Sequence, residues 1–457
     1  MVKGRGLAFG FVCLCAFAVC GGTDPGRDAI GRTERPAREL RVRDGIARSA
    51  EKLKSGGDFS IAYLGGSITM QKGWRVKFTE YLQKRFPQAR IKSTCAGLAG
   101  TGSDVGVFRM DTEVLPANPD LLFVEFATND TYLDPVGIRR AMEGIVRKAW
   151  RHNAGMDVVF VYTIADHMTN SYLKGVCPRA ASAHEMVADH YGVPSICFGV
   201  RVADLLRRGK LVMGMNGVAF PIPEETPDKY GYATKEMERK GVILFSKDGT
   251  HPVDAGHELY LKSFVESFDR LTAPAPADHS ARLAQAPLDV NNYEKAHYVD
   301  IDCSMLVGSG WEALGKDDPK MMKFASRMGQ IWHSGKAGDA LAFRFRGTAV
   351  GALDLLGPDG CKIVVEIDGR EYPKSRNRFN HWTTKKHLLL PSFPFAECPD
   401  GEHEISFKIA PRVQGATSFW PSRLMLVGEI LPTTCCAETY LMDTNSPVYR
   451  LGDSHPL

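Results

Sequence analysis

Four places in this 457-residue chain hold residue types that together could carry out acyl transfer. Ser67 follows Gly65-Gly66; Gly100 lies in a glycine-rich stretch, Ala96 to Gly102; Asn129 stands before Asp130; and Asp248 precedes His251 by three residues. A serine hydroxyl attacks poorly at neutral pH until a base removes its proton, and a histidine can take that proton and later return it to a leaving group. Asp248 is spaced to hold the His251 ring in the right tautomer and to stabilise its charged form. The backbone N–H groups of Ser67 and Gly100, with the Asn129 side-chain amide, could surround the oxyanion of a tetrahedral intermediate. None of this chemistry requires a metal or an organic cofactor. Taken singly, each residue is as ordinary as any turn or capping residue; the signal is the ordered set.

The elements expected around these residues put them in one kind of place. Phe59–Leu64 reads as a strand running into Ser67, and the helix after it spaces Trp74, Phe78, Tyr81 and Leu82 along one face, with Trp74 read as core. Ala89–Thr94 is a second strand before Gly100, with Ser103 or Asp104 expected to cap the next helix. Leu121–Phe126 is a third strand, apolar throughout and so buried on both faces, before Asn129-Asp130. A helix at 136–153, a strand at 158–164, a helix at 181–191, a strand at 194–198 and a helix at 200–208 continue the alternation. Asp248 to Pro252 precede a last helix, Asp254–Leu271, which also carries His257, read as packing. Alternation of this sort predicts a doubly wound, three-layer α/β/α domain around a parallel sheet, and ligands of such sheets bind beyond the carboxyl ends of the strands. Residues 208–247, with Pro221, Pro223 and Pro227 and the aromatics Phe220, Tyr230 and Tyr232, interrupt the rhythm as a lid or a structural insertion.

The composition shifts at Ala273 to Pro276 and stays polar to about Pro287, which marks a linker at 273–287. Beyond it the period changes to two, with strands expected at 340–345, 349–353, 362–367, 387–390, 404–409 and 423–427. Asp368-Gly369 is a hairpin turn. An all-β sandwich over 288–432 follows, with Trp311, Trp332, Trp382 and Trp420 as core or as surfaces for sugar rings, and then a tail at 433–457.

The four blocks in order, Gly65-Gly66-Ser67-Ile68, Cys95 to Gly100, Thr128-Asn129-Asp130 and Asp248-Gly249-Thr250-His251-Pro252, resemble those of the SGNH, or GDSL-type, hydrolase superfamily. Gly66 stands where the family has Asp, Cys95 where it usually has Asn, and Ala127 where Gly is usual; the last block fits without departure. The resemblance covers 59–271 and implies a flavodoxin-like fold and a serine esterase. It assigns Ser67, Asp248 and His251 to catalysis and Ser67, Gly100 and Asn129 to the oxyanion hole. Subgroups with a Gly-Gly-Ser-Ile-Thr block are similar to exported bacterial esterases acting on acylated carbohydrate. The expected activity is therefore removal of O-acetyl or similar short acyl groups from polysaccharide or oligosaccharide. An acyltransferase acting on an envelope glycan, and a glycan-binding protein whose hydrolase domain is degenerate, are the alternatives.

The composition agrees with a globular enzyme, at 44% hydrophobic and 24% charged residues. Lys3 and Arg5 precede an apolar run from Leu7 to Val19 with a small-x-small site at Ala16-Phe17-Ala18, which reads as a signal peptide over 1–18 followed by a polar tether over 19–45. The mature chain would be secreted or periplasmic; a lipid anchor at Cys20, making a cell-surface lipoprotein, ranks second. Loss of the leader removes two basic residues and no acid, so the net charge falls from +4 to +2. No basic block calls for nucleic acid, and no later stretch would span a membrane. The 11 cysteines include no CxxC and no framework spacing, which predicts mostly buried thiols with one or two bridges. There is no GxSxG, Ala188 breaks an HExxH reading of His184-Glu185, and the 97–102 loop lacks the lysine of a P-loop.

Overall fold

The computed structural model describes residues 34–410 and 417–432. The chain divides into two compact units: residues up to Tyr298 together with Leu390–Pro394, and Val299–Leu389 together with the residues from Phe395 onward. The expected signal peptide, Cys20 and the 433–457 tail lie outside the described residues.

In the first unit β1 (Leu40–Arg41), α1 (Ala47–Ser55) and β2 (Gly57–Gly65) lead into a short α2 (Ser67–Met70) and α3 (Trp74–Arg85). There follow β3 (Ala89–Gly97), α4 (Ser103–Arg109), β4 (Leu121–Glu125), α5 (Pro135–His152), β5 (Asp157–Tyr162), α6 (Thr169–Leu173), α7 (Arg179–Tyr191), β6 (Ser195–Cys197) and α8 (Phe198–Arg207). After β7 (Leu211–Val212), α9 (Lys229–Arg239) and β8 (Ile243–Leu244) come α10 (Asp254–Leu271) and α11 (His279–Ala284). The main sheet has the order β1-β6-β5-β4-β2-β3, parallel except for β1. Helix α10 packs with α3 and α8, while α5 packs with α4 and α7, which gives the doubly wound three-layer domain expected. From β2 the chain moves to β3 on one side and then to β4 on the other. The strand order therefore reverses at β2, the point at which sheets of this kind bind ligands beyond the carboxyl ends of the strands.

Every residue of β4 is buried, as its unbroken apolar run requires. One core layer is aromatic: Tyr63 stacks on Phe123, and Trp74 meets both Tyr63 and Phe78 edge-on. Phe78 in turn stacks on Phe264 of α10. Trp74 is fully buried, in its expected core role.

Three segments depart from expectation. Residues 34–45, read as tether, are built into the fold: Leu40 and Arg41 pair with Ile196 and Ser195, and Arg43 donates to Glu185, Asp189, Ser195 Oγ and the Val193 carbonyl. Their polarity serves ion pairs rather than solvation. Residues 273–287, read as linker, include α11, capped by Asp278, with His279 stacked on Trp150 and Arg282 paired to Asp44. The break at 208–247 holds an eleven-residue helix and the parallel β7–β8 pair, and is a folded insertion. Gly231 and three prolines hid that helix from a propensity reading.

The second unit is an antiparallel all-β domain. The strands expected at 340–345 and 349–353 are one strand, Ala340–Leu356, which crosses a register shift between Gly347 and Ala349. It lies between Ala396–Ala410 and Trp420–Leu431, and Lys362–Ile367 pairs outside Ala396–Ala410. The Asp368-Gly369 turn is present, with both residues at positive φ (51° and 73°) as a primed hairpin turn demands. Phe343, Phe345, Phe395 and Phe407 fill its core. Trp420 is buried, stacked on His333; Trp311 and Trp332 flank the core; Trp382 is 66% exposed. The expected bridges are not found among the described residues: six cysteines there are free thiols, with Cys95 and Cys303 exposed rather than buried.

Candidate functional site

Ser67 opens α2 directly beyond the end of β2, with Gly66 in extended conformation before it. The two glycines answer to crowding. A Cβ on Gly65 would lie 2.3 Å from Thr69 Oγ1, and one on Gly66 only 2.1 Å from Asn129 Oδ1. The Asn129 side chain therefore occupies the space that any residue larger than glycine would fill at position 66. It comes from a short 3-10 turn, Asn129–Tyr132, that follows β4, the strand next to β2.

Ser67 Oγ lies 2.8 Å from His251 Nε2, and His251 Nδ1 lies 2.7 Å from Asp248 Oδ2. Asp248 Oδ1 accepts the backbone N–H groups of Thr250 (2.9 Å) and His251 (2.8 Å), so the acid folds its own loop as well as facing the ring. Partial burial works against the Asp248 charge, but the His251 ring and these N–H groups outweigh it and hold the carboxyl below the usual range. Ser67 is half-buried, and the His251 and Asp248 side chains are 39% and 53% exposed.

The loop carrying this pair is held by the insertion before it. Ser246 Oγ donates to the Met213 carbonyl and accepts the Gly249 N–H, both at 2.6 Å, and Asp166 N–H donates to the Gly249 carbonyl at 2.7 Å. Gly100 lies in the loop after β3 at φ +74°, the left-handed conformation that glycine adopts without strain. The structure thus brings Ser67, Asn129, Asp248 and His251 together at the carboxyl end of the sheet, with Gly100 beyond the adjoining strand. Ser103 and Asp104 do not cap α4 through their side chains. Ser103 N–H instead donates to Asp130 Oδ1 at 2.8 Å.

Several supporting residues carried no signal in the sequence. Glu125, the last residue of β4, is fully buried and accepts hydrogen bonds from Thr69 Oγ1 (2.8 Å), Thr163 Oγ1 (2.6 Å) and the Gly66 N–H. Burial, with the nearby Asp130 charge, pushes its carboxyl up to about 7 against those bonds. Thr163 also shares a hydrogen bond with Thr128, so one buried chain links the turn before Ser67 to the residue before Asn129. Arg109 is buried and donates to the carbonyls of Gly65 and Ala96 at the ends of β2 and β3. Asp130 binds His184 Nε2 at 2.8 Å, which ties the Asn129 turn to α7. His184 and Glu185, whose HExxH reading Ala188 breaks, are both buried polar partners. His257 is buried, accepts the Trp74 N–H and is pushed down to about 4 by burial, consistent with its packing role. Cys95 is exposed, its thiol 3.8 Å from the Thr69 carbonyl.

Comparison with known proteins bears on the fold that carries this site. A two-domain esterase active on acetylated mannans, crystallised with mannopentaose, superposes with a TM-score of 0.62 at 21% identity, covering 87% of this chain and all of that one. A second structure of such an esterase gives 0.61 at 20% identity, over 86% of this chain and 99% of the other. At these identities the likeness is one of fold, and it extends over both units. No curated protein matches in sequence. Residues 60–259 match the GDSL-like lipase/acylhydrolase family, so this stretch of the chain is an SGNH-type domain of that kind.

Proposed function

We propose that the protein is a serine esterase that removes O-acetyl or similar short acyl groups from polysaccharide, through an acyl-enzyme on Ser67. The observation that carries the reading is the continuous chain from Ser67 Oγ to His251 Nε2 and from His251 Nδ1 to Asp248 at hydrogen-bond distances. With the proton of the neutral ring on Nδ1, facing the carboxylate, Nε2 is free to accept the Ser67 hydroxyl proton as Oγ attacks the acyl carbon. The carbonyl oxygen gathers negative charge and is met by the Ser67 and Gly100 N–H groups and the Asn129 amide. His251 then passes its proton to the departing sugar oxygen, leaving acyl-Ser67. A water molecule, deprotonated by His251, attacks that ester and returns Ser67.

The substrate class is supported by the acetylated-mannan esterases that share the two-domain fold. Export is supported by the leader-like start of the chain, Lys3 to Ala18. The test is acetate release from acetylated mannan and acetylated xylan. Wild type should release acetate, and Ser67→Ala should abolish release while melting at the same temperature. Persistent release by pure Ser67→Ala would overturn the assignment. Acyl transfer to an added oligosaccharide in preference to water would replace hydrolysis with the transferase reading.

A further inference from the structure

Tyr132 is 82% exposed, the most exposed aromatic ring among the described residues, yet its backbone is tightly held. It ends the turn that begins with Asn129, and Arg179 Nη2 donates to the carbonyls on either side of it, Thr131 (2.9 Å) and Leu133 (2.7 Å). A surface tyrosine on a pinned turn displays its ring to solvent at little entropic cost on binding.

The ring has a neighbour. His167 lies 5.9 Å away, centroid to centroid, with the two planes 27° apart, and its Nε2 is 3.1 Å from Thr131 Oγ1. His167 belongs to the 166–168 turn after β5, whose Asp166 N–H binds the Gly249 carbonyl in the loop of Asp248 and His251. The pair therefore spans from the Asn129 turn to the loop that carries the candidate base. It forms an aromatic strip on the turns that follow β4 and β5, at the same end of the sheet as Asn129. Partial burial lowers the His167 pKa, which keeps that ring neutral near pH 7 and the strip uncharged.

We propose that Tyr132, with His167 beside it, is a subsite for a pyranose ring of the acylated polysaccharide, one that seats the sugar chain so that its ester reaches Ser67. A pyranose carries a face of C–H bonds flanked by hydroxyls. That face packs on the electron-rich face of an aromatic ring while the hydroxyls stay in water, a match that a free acyl chain or a small ester does not offer. This subsite rests on the polysaccharide reading above.

The test compares kcat/KM for acetylated manno-oligosaccharides with kcat/KM for p-nitrophenyl acetate. Tyr132→Ala should lower the ratio of the two about tenfold, mainly through a higher KM for the oligosaccharide, and Tyr132→Trp should restore it. A ratio within twofold of wild type in Tyr132→Ala overturns the subsite while leaving the esterase assignment in place. Wild-type enzyme that cleaves p-nitrophenyl acetate but releases no acetate from acetylated mannan, glucomannan or xylan overturns the polysaccharide reading, and the subsite with it. Binding of unacetylated mannopentaose to Ser67→Ala, lost in Ser67→Ala/Tyr132→Ala, supports the subsite without turnover; equal binding by both overturns it.

Discussion

Replacing Asp248 separates its charge from its geometry. The carboxylate makes three contacts, one to the His251 ring and two to backbone N–H groups, and its side chain is 53% exposed. Opposite unit charges about 4 Å apart attract by about 1 kcal/mol in water and about 4 kcal/mol at an effective dielectric near 20. For a half-exposed pair an intermediate figure of about 2 kcal/mol follows, which is roughly a 30-fold loss of kcat when Asp248→Ala removes the charge that steadies protonated His251. Water can then take the vacated place, and the ring can still adopt the Nδ1–H tautomer.

Asp248→Asn should be worse than Ala although it is nearly isosteric. Its Oδ1 satisfies the Thr250 and His251 N–H groups, which turns its NH2 toward Nδ1. The ring must then accept there and carry its proton on Nε2, where it cannot receive a proton from Ser67. That tautomeric trap is worth up to about 10⁴-fold in kcat in other triads. Steady-state hydrolysis of p-nitrophenyl acetate and of acetylated oligosaccharide, with KM measured for both variants, decides the matter. An Asn variant more active than the Ala variant would refute the tautomer argument, and a 10⁴-fold loss in the Ala variant would refute the screening argument.

Asn129→Ala should lower kcat by about 10²- to 10³-fold with little change in KM. Gly66→Ala should cost a similar factor because its new methyl displaces the Asn129 side chain, and the double variant should be little worse than either single one. Full additivity in that cycle would show that the two positions act separately. Glu125 gives a pH signature. Its carboxyl sits near 7 when folded against an ordinary 4.5, so the folded state holds the extra proton between those values and stability falls as pH rises through that window. The contribution is at most about 3 kcal/mol. Thermal midpoints at pH 5 and pH 8 should therefore differ less in Glu125→Gln than in wild type, and an unchanged difference would mean that Glu125 does not titrate there.

Ser67, Gly100, Asn129, Asp248 and His251 were legible because each lies in a short block beside a strand or helix whose hydrophobic period is strong. What was hidden acts across the sequence. Glu125 looks like one polar letter in an apolar strand until Thr69 and Thr163, 56 and 38 residues away, are seen to converge on it. Arg109 carries no motif, since its role is to bind two main-chain carbonyls that sequence does not display. Gly66 looked like a departure from the family pattern, and its reason, the Asn129 side chain, lies 63 positions on in the chain. In the second unit the strand period was readable, but the continuous strand through Gly347 was not, because a glycine in an alternating run signals a break as readily as a bulge.

The ion-paired segment around β1 also bears on how much of the chain the hydrolase domain needs. Leu40 and Arg41 cover the outer side of β6, which would otherwise be an open sheet edge of unpaired N–H and C=O groups. A protein trimmed to begin at Ile46, where the first helix suggests a tidy start, would bare Ser195–Cys197 and strip Glu185 of both of its arginine partners. Such a protein should associate edge to edge and precipitate with its proposed catalytic residues untouched. N-terminal trimming is thus tolerable only where it spares Arg35 to Arg43.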